Sequence, residues 1–371
     1  MNHTPTLTDA KRIVIKIGTS LIADGAKPRA QWLASMAADM ATLHAAGKEI
    51  ILVSSGAVAL GRPLVGLGTQ ALSLEEKQAA AAAGQPLLIQ AWQTAFDAHK
   101  IHVAQLLLTL EDSERRKRYL NARATFTTLL AHRIIPIVNE NDSVATAELK
   151  FGDNDRLAAR VAVMLDADVL VLFSDIDGLY TANPRTDTHA AHIPLVSELT
   201  PAIIAGAGGA ASAMSNGGMK TKLDAAQMAL ASGCHMAIAL GTPDHALKSL
   251  SDGGKATWFT ATTKPQLARK QWIAAAVHLP GFVVVDDGAA RALRDGKSLL
   301  PAGVKAVEGA FERGDTIGVK TVNGTLIAKG VSSYNHLEAA QILGKKTDAM
   351  EAILGYAARA NLIHRDDLAM L

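Results

Sequence analysis

This chain predicts an α/β fold with a mainly parallel sheet, followed by a smaller β-rich domain. Three observations lead there. Short β-branched apolar runs alternate with helix-like segments from residue 12 to about residue 259. The runs are too short and too apolar for strands wetted on one face, which argues that helices cover both sides of the sheet. Past residue 259 the rhythm gives way to short β-like runs with Gly and Asp between them. The first part therefore reads as an open three-layer αβα sandwich, with ligands expected outside the carboxyl ends of its strands.

The elements follow in order. Residues 12–17 are short and β-branched, 29–46 have helical composition and stop at Gly47, and 49–53 form another apolar strand. A helix is expected over 74–99, where Ser73 and Glu76 have the spacing of a capping box; Gly84 and Pro86 are expected to break or kink it. Strands recur at 101–108, 134–138, 169–173 and 236–240, with helices at 119–132, 156–165 and 219–232. The strand-end rule then gathers Gly18-Thr19-Ser20, Ser54-Ser55-Gly56, residues 139–142 and Ser174-Asp175 on one rim. The Ala- and Gly-rich stretch 205–218 reads as a mobile loop and 262–272 as a polar connector. Strands of the second domain are expected at 282–285, 316–320 and 326–328, which sets domain limits of 8–262 and 277–357.

Composition bounds the function. In 371 residues, 37 Lys and Arg nearly balance 35 Asp and Glu, so the net charge of +2 demands no polyanionic partner. Residues 1–11 are polar, without the apolar core of a signal peptide, and no later run is long enough to span a bilayer, so a cytoplasmic protein without membrane contact is expected. The single cysteine, Cys234, sits among Ala231, Met236 and Ala237 and reads as a small core residue rather than a catalytic thiol. His99 with His102, and His189 with His192, lack a third ligand at telling spacing and read as surface histidines. No G-x-G-x-x-G follows the first strand, which argues against a nicotinamide dehydrogenase, and no P-loop motif is present. Glycine-rich turns and lysine point charges can still hold phosphate, and Lys16, Lys220 and Lys222 have that character.

The strongest local signal is Ile137-Val138-Asn139-Glu140-Asn141-Asp142, with Phe151-Gly152-Asp153-Asn154-Asp155 shortly after it. So many amides and carboxylates beside an apolar strand describe a polar pocket rather than a solvated loop.

The strings VIKIGTS, LVSSGAVALGR, IPIVNENDSVATAELKFGDND, FSDIDGLYTANPR and GGMKTK closely resemble those of the glutamate 5-kinases within the amino acid kinase family, in order over about residues 11–260. VVVDDGAARAL, SLLPAGV, RGDTIGV and IAKGVSSYN resemble the PUA domain that ends many of them. The resemblance implies the amino acid kinase fold and ATP-dependent phosphorylation of the γ-carboxylate of L-glutamate to L-glutamyl 5-phosphate, the first step of proline biosynthesis. It also implies Mg2+ bound with ATP, and feedback inhibition by proline. Such a carboxylate, with a reference pKa of about 4.3, is already ionised and needs no general base.

Carried over residue by residue, the resemblance makes Lys16 and Lys222 the lysines that flank the transferring phosphoryl group and Asp155 the acid that orients them. Ser55, Asp142 and Asn154 would bind the amino acid, with Asn139, Glu140 and Asp153 supporting the same pocket. Lys16, Gly18, Ser174, Asp175, Asn216, Gly217, Gly218, Met219, Lys220, Thr221 and Lys222 match nucleotide-binding positions. Many members of the family carry a small polar residue where this chain has Lys220, a departure that weakens its expected contact with ATP and makes a solvated surface lysine the stronger reading there. Asp153 and Asp155 could also cap the helix near Arg156, and one of them is expected to do both jobs. A homo-oligomer is expected, and a hand-off of glutamyl 5-phosphate to glutamate-5-semialdehyde dehydrogenase is compatible with the resemblance. The alternatives are another kinase of this fold, acting on acetylglutamate, aspartate or uridylate, and an RNA-binding PUA protein. The paired motifs argue against the first. Against the second, Arg291, Arg294, Lys297, Lys305 and Arg313 are offset by Asp286, Asp287, Asp295, Glu308, Glu312 and Asp315, so RNA is not expected as a partner.

Overall fold

Strands β1 (Arg12–Ile17), β2 (Glu49–Ser54), β3 (Val103–Leu108), β4 (Ile135–Glu140), β5 (Val169–Ser174), β6 (Leu195–Val196), β7 (His235–Leu240) and β8 (Ala256–Phe259) form one sheet in the order β6-β8-β7-β5-β1-β2-β4-β3. All its pairings are parallel except β7 with β8. The computed structural model describes residues 5–144, 153–207, 218–357 and 359–371. The chain divides into two units, Met1–Pro265 and Gln266–Leu371.

The two faces of the sheet follow from the period-2 alternation of side chains along each strand. Ile13, Ile15 and Ile17 of β1, with Ile50 and Leu52 of β2, enter the core shared with helices α1 (Ala30–Ala45), α2 (Ala57–Gly61) and α3 (Leu74–Asp97). Val14, Ile51 and Val53 face the opposite core, built with Phe126 of α4 (Arg116–Ala131), Leu157 of α5 (Asn154–Met164) and Leu223 of α6 (Met219–Ala231). Lys16 shares the parity of Val14. The strand therefore turns this ammonium group toward the layer that holds α5 and α6.

Three expectations change. Helix α3 starts at the capping box, with Ser73 Oγ accepting from Glu76 N–H at 3.2 Å and Glu76 Oε2 from Ser73 N–H at 2.8 Å, but it then runs unbroken through Gly84 and Pro86. Gly84 is a contact point and not a break: a Cβ there would lie 1.9 Å from Ala57 O, and one on Gly61 would lie 1.9 Å from Ala80 O. Helices α2 and α3 thus meet backbone to backbone, while buried Leu88, Trp92 and Phe96 hold the segment beyond Pro86 against the core. Strand β4 continues to Glu140, so Asn139 and Glu140 belong to the buried end of a strand rather than to a rim loop. Finally, the expected connector contains a helix, α7 (Pro265–Ala274). Its Ile273 is buried with Val331 and Ala369, and its Arg269 pairs with Asp367 at 2.7 Å. Arg269, one of the charges that made the run look like a linker, is thus largely buried in an ion pair, while Leu267 and Trp272 are exposed.

In the second unit β9 (Gly281–Val285), β10 (Val304–Gly309), β11 (Thr316–Thr321), β12 (Leu326–Val331) and β13 (Leu368–Met370) form a sheet ordered β10-β9-β11-β12-β13. Its core includes Val283, Val285, Ile317 and Val319 with Tyr334 and Leu362. Strand β13 lies beyond residue 357, where the sequence reading ends the domain. No helix among the described residues is long and apolar enough to cross a membrane. The 205–218 expectation falls largely on residues outside the described set.

Candidate active site

Parallel register brings the carboxyl ends of β1, β2, β4 and β5 to one edge: Ile17 stands opposite Ser54 and Phe173, and Val53 opposite Val138. Helix α5 begins just beyond that edge. Asp153 is its N-cap, and its side chain accepts from the backbone N–H groups of Asp155 and Arg156. The cap fixes the first turn so that Asp155 points into the protein, where it is fully buried. The two aspartates divide the jobs expected of one: Asp153 caps, and Asp155 supplies charge.

Lys16 Nζ lies 2.6 Å from Asp155 Oδ1, and Lys222 Nζ, from the first turn of α6, lies 2.9 Å from Asp155 Oδ2. Thr221 Oγ1 is 3.2 Å from the same Oδ2 and donates to Gly218 O at 2.8 Å. Burial pushes the Asp155 pKa up, but the Lys16 and Lys222 ammonium groups outweigh it and hold the carboxyl below the usual range. The acid is therefore ionised at neutral pH. Two ammonium groups around one carboxylate leave an excess of one positive charge, largely shielded from water.

A chain of amides stands beside this ion cluster. Asn154 Nδ2 donates to Ser55 Oγ at 2.6 Å and to Asn139 Oδ1 at 3.0 Å, and Asn139 Nδ2 donates to Gln85 Oε1 at 3.0 Å. Ser55 follows β2 and is tied to β1 by its N–H donating to Ile17 O at 3.1 Å. Gly56 then turns the chain into α2 at φ +117°, a left-handed conformation that favours glycine, and a Cβ there would also crowd Ile22 at 3.0 Å. Ser54 Oγ faces inward and accepts from Trp92 Nε1 at 2.9 Å. Glu140 is buried at the end of β4, and Asp142 follows in the turn after Asn141, whose N–H donates to Leu108 O at 2.8 Å.

The residues expected near a nucleotide are placed less uniformly. Gly18 precedes the short helix Thr19–Ile22, and a Cβ on it would lie 3.9 Å from Lys16 Nζ, over the space beside the ammonium. Ser174 ends β5 and donates to Asp175 Oδ1 at 3.1 Å. Asp175 pairs through Oδ2 with Arg185 at 2.7 Å; this contact, both partners being exposed, adds little to stability. Gly218 caps α6, Met219 is half-buried, and Lys220 is exposed on the helix face opposite Lys222. Asn216 and Gly217 lie outside the described residues, as do Phe151 and Gly152 of the second motif.

The structure thus unites Lys16, Asp155, Thr221 and Lys222, and sets Ser55, Asn139 and Asn154 together. It adds Gln85, which the sequence reading passed over. The signal was the string Gly84-Gln85-Pro86, a polar residue between two backbone specials inside an Ala-rich helix, and it was read only for what it does to the backbone. Cys234 is fully buried, and burial pushes its thiol pKa up, which suits a core residue. Among the described residues no group of three His, Cys, Asp or Glu side chains is spaced to hold a metal ion.

Residues 11–239 match the amino acid kinase family and residues 281–354 match the PUA domain. Glutamate 5-kinase of Paramagnetospirillum magneticum is 56% identical over 366 residues, 98% of this chain and 99% of that one. Glutamate 5-kinase 1 of Rhizobium meliloti is 53% identical over 367 residues, 98% of this chain and 93% of its own. Glutamate 5-kinase of Paracoccus denitrificans is 52% identical over 367 residues, 99% of both chains.

Proposed function

The chain belongs to the amino acid kinase family, and we propose that it transfers the γ-phosphoryl group of ATP to the side-chain carboxylate of L-glutamate, giving L-glutamyl 5-phosphate and ADP, the first step of proline biosynthesis. The observation that carries this reading is the Lys16–Asp155–Lys222 ion cluster beside the Ser55 hydroxyl and the Asn154 and Asn139 amides. A cationic centre for phosphoryl transfer thus stands next to a pocket rich in directional polar groups. Identity to glutamate 5-kinases over nearly the whole chain supports the choice of amino acid.

In this mechanism an oxygen of the glutamate γ-carboxylate attacks the γ-phosphorus, the bond from that phosphorus to the β,γ-bridging oxygen breaks, and ADP leaves with the electron pair. No proton has to move, because the nucleophile is ionised. Catalysis then rests on positioning and on charge. Lys16 and Lys222 offset the negative charge on the transferring group, and Asp155 keeps the two like charges together without cancelling both. Asp142 meets the substrate ammonium, while Ser55 and the amides of Asn154 and Asn139 orient the amino acid, with Glu140 and Asp153 supporting the pocket. Ser174, Asp175, Gly218 and the first turn of α6 face the nucleotide.

Magnesium would arrive with ATP and would offset the negative charge of its phosphates. One observation fits such an ion: Asp153 Oδ2 is buried without a hydrogen-bond partner among the described residues, an oxygen of the kind a hydrated magnesium ion accepts. The same reading carries a cytoplasmic location, a homo-oligomer, delivery of the acyl phosphate to glutamate-5-semialdehyde dehydrogenase and inhibition by proline. A coupled ADP-release assay over L-glutamate, L-aspartate and N-acetylglutamate tests it. Turnover with L-glutamate above the others is expected; no ADP release with L-glutamate contradicts the assignment.

A further inference from the structure

Gln85 ends the amide chain and is 8% exposed, and its Nε2 is buried with no hydrogen-bond partner among the described residues. A primary amide has one acceptor end and one donor end, so neighbours bonded in series must share a polarity. Asn139 donates to Gln85 Oε1 and accepts from Asn154 on its own Oδ1. Asn154 therefore spends both Nδ2 hydrogens, one on Asn139 and one on Ser55. That leaves Asn154 Oδ1 as the acceptor it can offer a ligand, and it leaves the Ser55 hydroxyl hydrogen to donate. Reversing Gln85 would reverse the series: Asn139 would turn its acceptor to Gln85, and Asn154 would offer an amide donor instead.

We propose that Gln85 is a positioning residue that sets the hydrogen-bond polarity of the substrate pocket, so that Asn154 presents an acceptor to an ammonium group and Ser55 a donor to a carboxylate. The inference rests on the glutamate-kinase reading and names what makes that pocket select an α-amino acid. The orphaned Nε2 follows from the same arrangement. It is a buried donor, costly when left alone, and an anionic ligand oxygen is the partner that would satisfy it. Substrate binding and the orientation of Gln85 then reinforce each other.

The test compares wild type with Gln85→Leu and Gln85→Glu in the full-length chain, by the ADP-release assay with L-glutamate and with glutarate, which lacks the ammonium group. Folding is checked by circular dichroism. Leucine keeps the bulk and removes both polar ends. The Gln85→Leu enzyme is expected to raise KM for glutamate about tenfold or more, to leave KM for ATP and kcat within about threefold, and to lose most of the preference for glutamate over glutarate. Gln85→Glu keeps an acceptor facing Asn139, so it should retain more of that preference than Gln85→Leu even as its charge weakens binding of both substrates. Loss of folding alone would lower the active fraction, and with it kcat, without moving the glutamate-to-glutarate ratio. An unchanged ratio in both variants, with an active wild type, overturns the role of Gln85 and leaves the function intact. A wild type that releases no ADP with glutamate overturns both.

Discussion

Lys16 and Lys222, one on a central strand and the other on a helix far along the chain, are held by opposite oxygens of a single carboxylate, that of Asp155, at 2.6 and 2.9 Å. Removing its charge leaves two ammonium groups facing each other in a largely dry site. Asp155→Asn is expected to lower kcat about a hundredfold or more and to destabilise the fold by about 3–5 kcal/mol, the range for breaking a buried pair. ADP release and urea unfolding of the purified variant check both. Turnover near wild type would mean that the lysines keep their places without the acid.

The same carboxylate fixes a pH dependence. Its folded pKa is depressed below the usual aspartate range, the two lysines outweighing the effect of burial. A depressed acid contributes stability that is fully present above its unfolded pKa and is lost as the pH falls through the folded value. The stability gap between wild type and Asp155→Asn should therefore stay constant from about pH 7 to about pH 5 and shrink below about pH 4. Urea titrations along that range measure it. A gap already shrinking near neutral pH would contradict the depressed pKa.

Much of this was legible in the sequence because it is local. The parity of Lys16 on an apolar strand, the capping box at Ser73 and the Asp153 cap are each set by neighbours within a few residues. What was missed depends on partners far away in the chain. Gly84 looks like a helix breaker until Gly61 is laid against it, and Gln85 carries no message of its own until Asn139 turns out to be its neighbour. The 262–272 run reads as a linker because its polar side chains outnumber its apolar ones, and the burial of Ile273 in α7 depends on strands far along the chain. Asn139 and Glu140 show the opposite error: polar letters ended the predicted strand two residues early, although hydrogen-bonded polar groups can be buried at a strand end.

Asp142 stands in the turn after β4, on the side of the site assigned to the amino acid. Asp142→Ala is expected to raise KM for glutamate roughly tenfold or more while changing KM for ATP little, because only the amino acid brings an ammonium group to it. Steady-state titration of each substrate separates the two. An unchanged glutamate KM removes this residue from the pocket.

Every residue assigned to chemistry lies in the unit Met1–Pro265, which has its own sheet and cores on both faces. A chain ending at Pro265 is expected to fold and to phosphorylate glutamate with kcat within about tenfold of the full-length enzyme. Circular dichroism and ADP release test it. A well-folded truncated chain that is inactive at saturating glutamate and ATP would assign the second unit a part in forming the active state.

The central claim is that the paired lysines carry phosphoryl transfer to glutamate, and Lys222→Ala tests it most directly. The variant, confirmed as folded by circular dichroism, is assayed for ADP release with saturating L-glutamate and ATP. The account predicts a fall in kcat of about a hundredfold or more with a smaller change in KM for glutamate, since the lysine acts on charge at the transferring phosphoryl group. Near-normal kcat in the folded variant would contradict it.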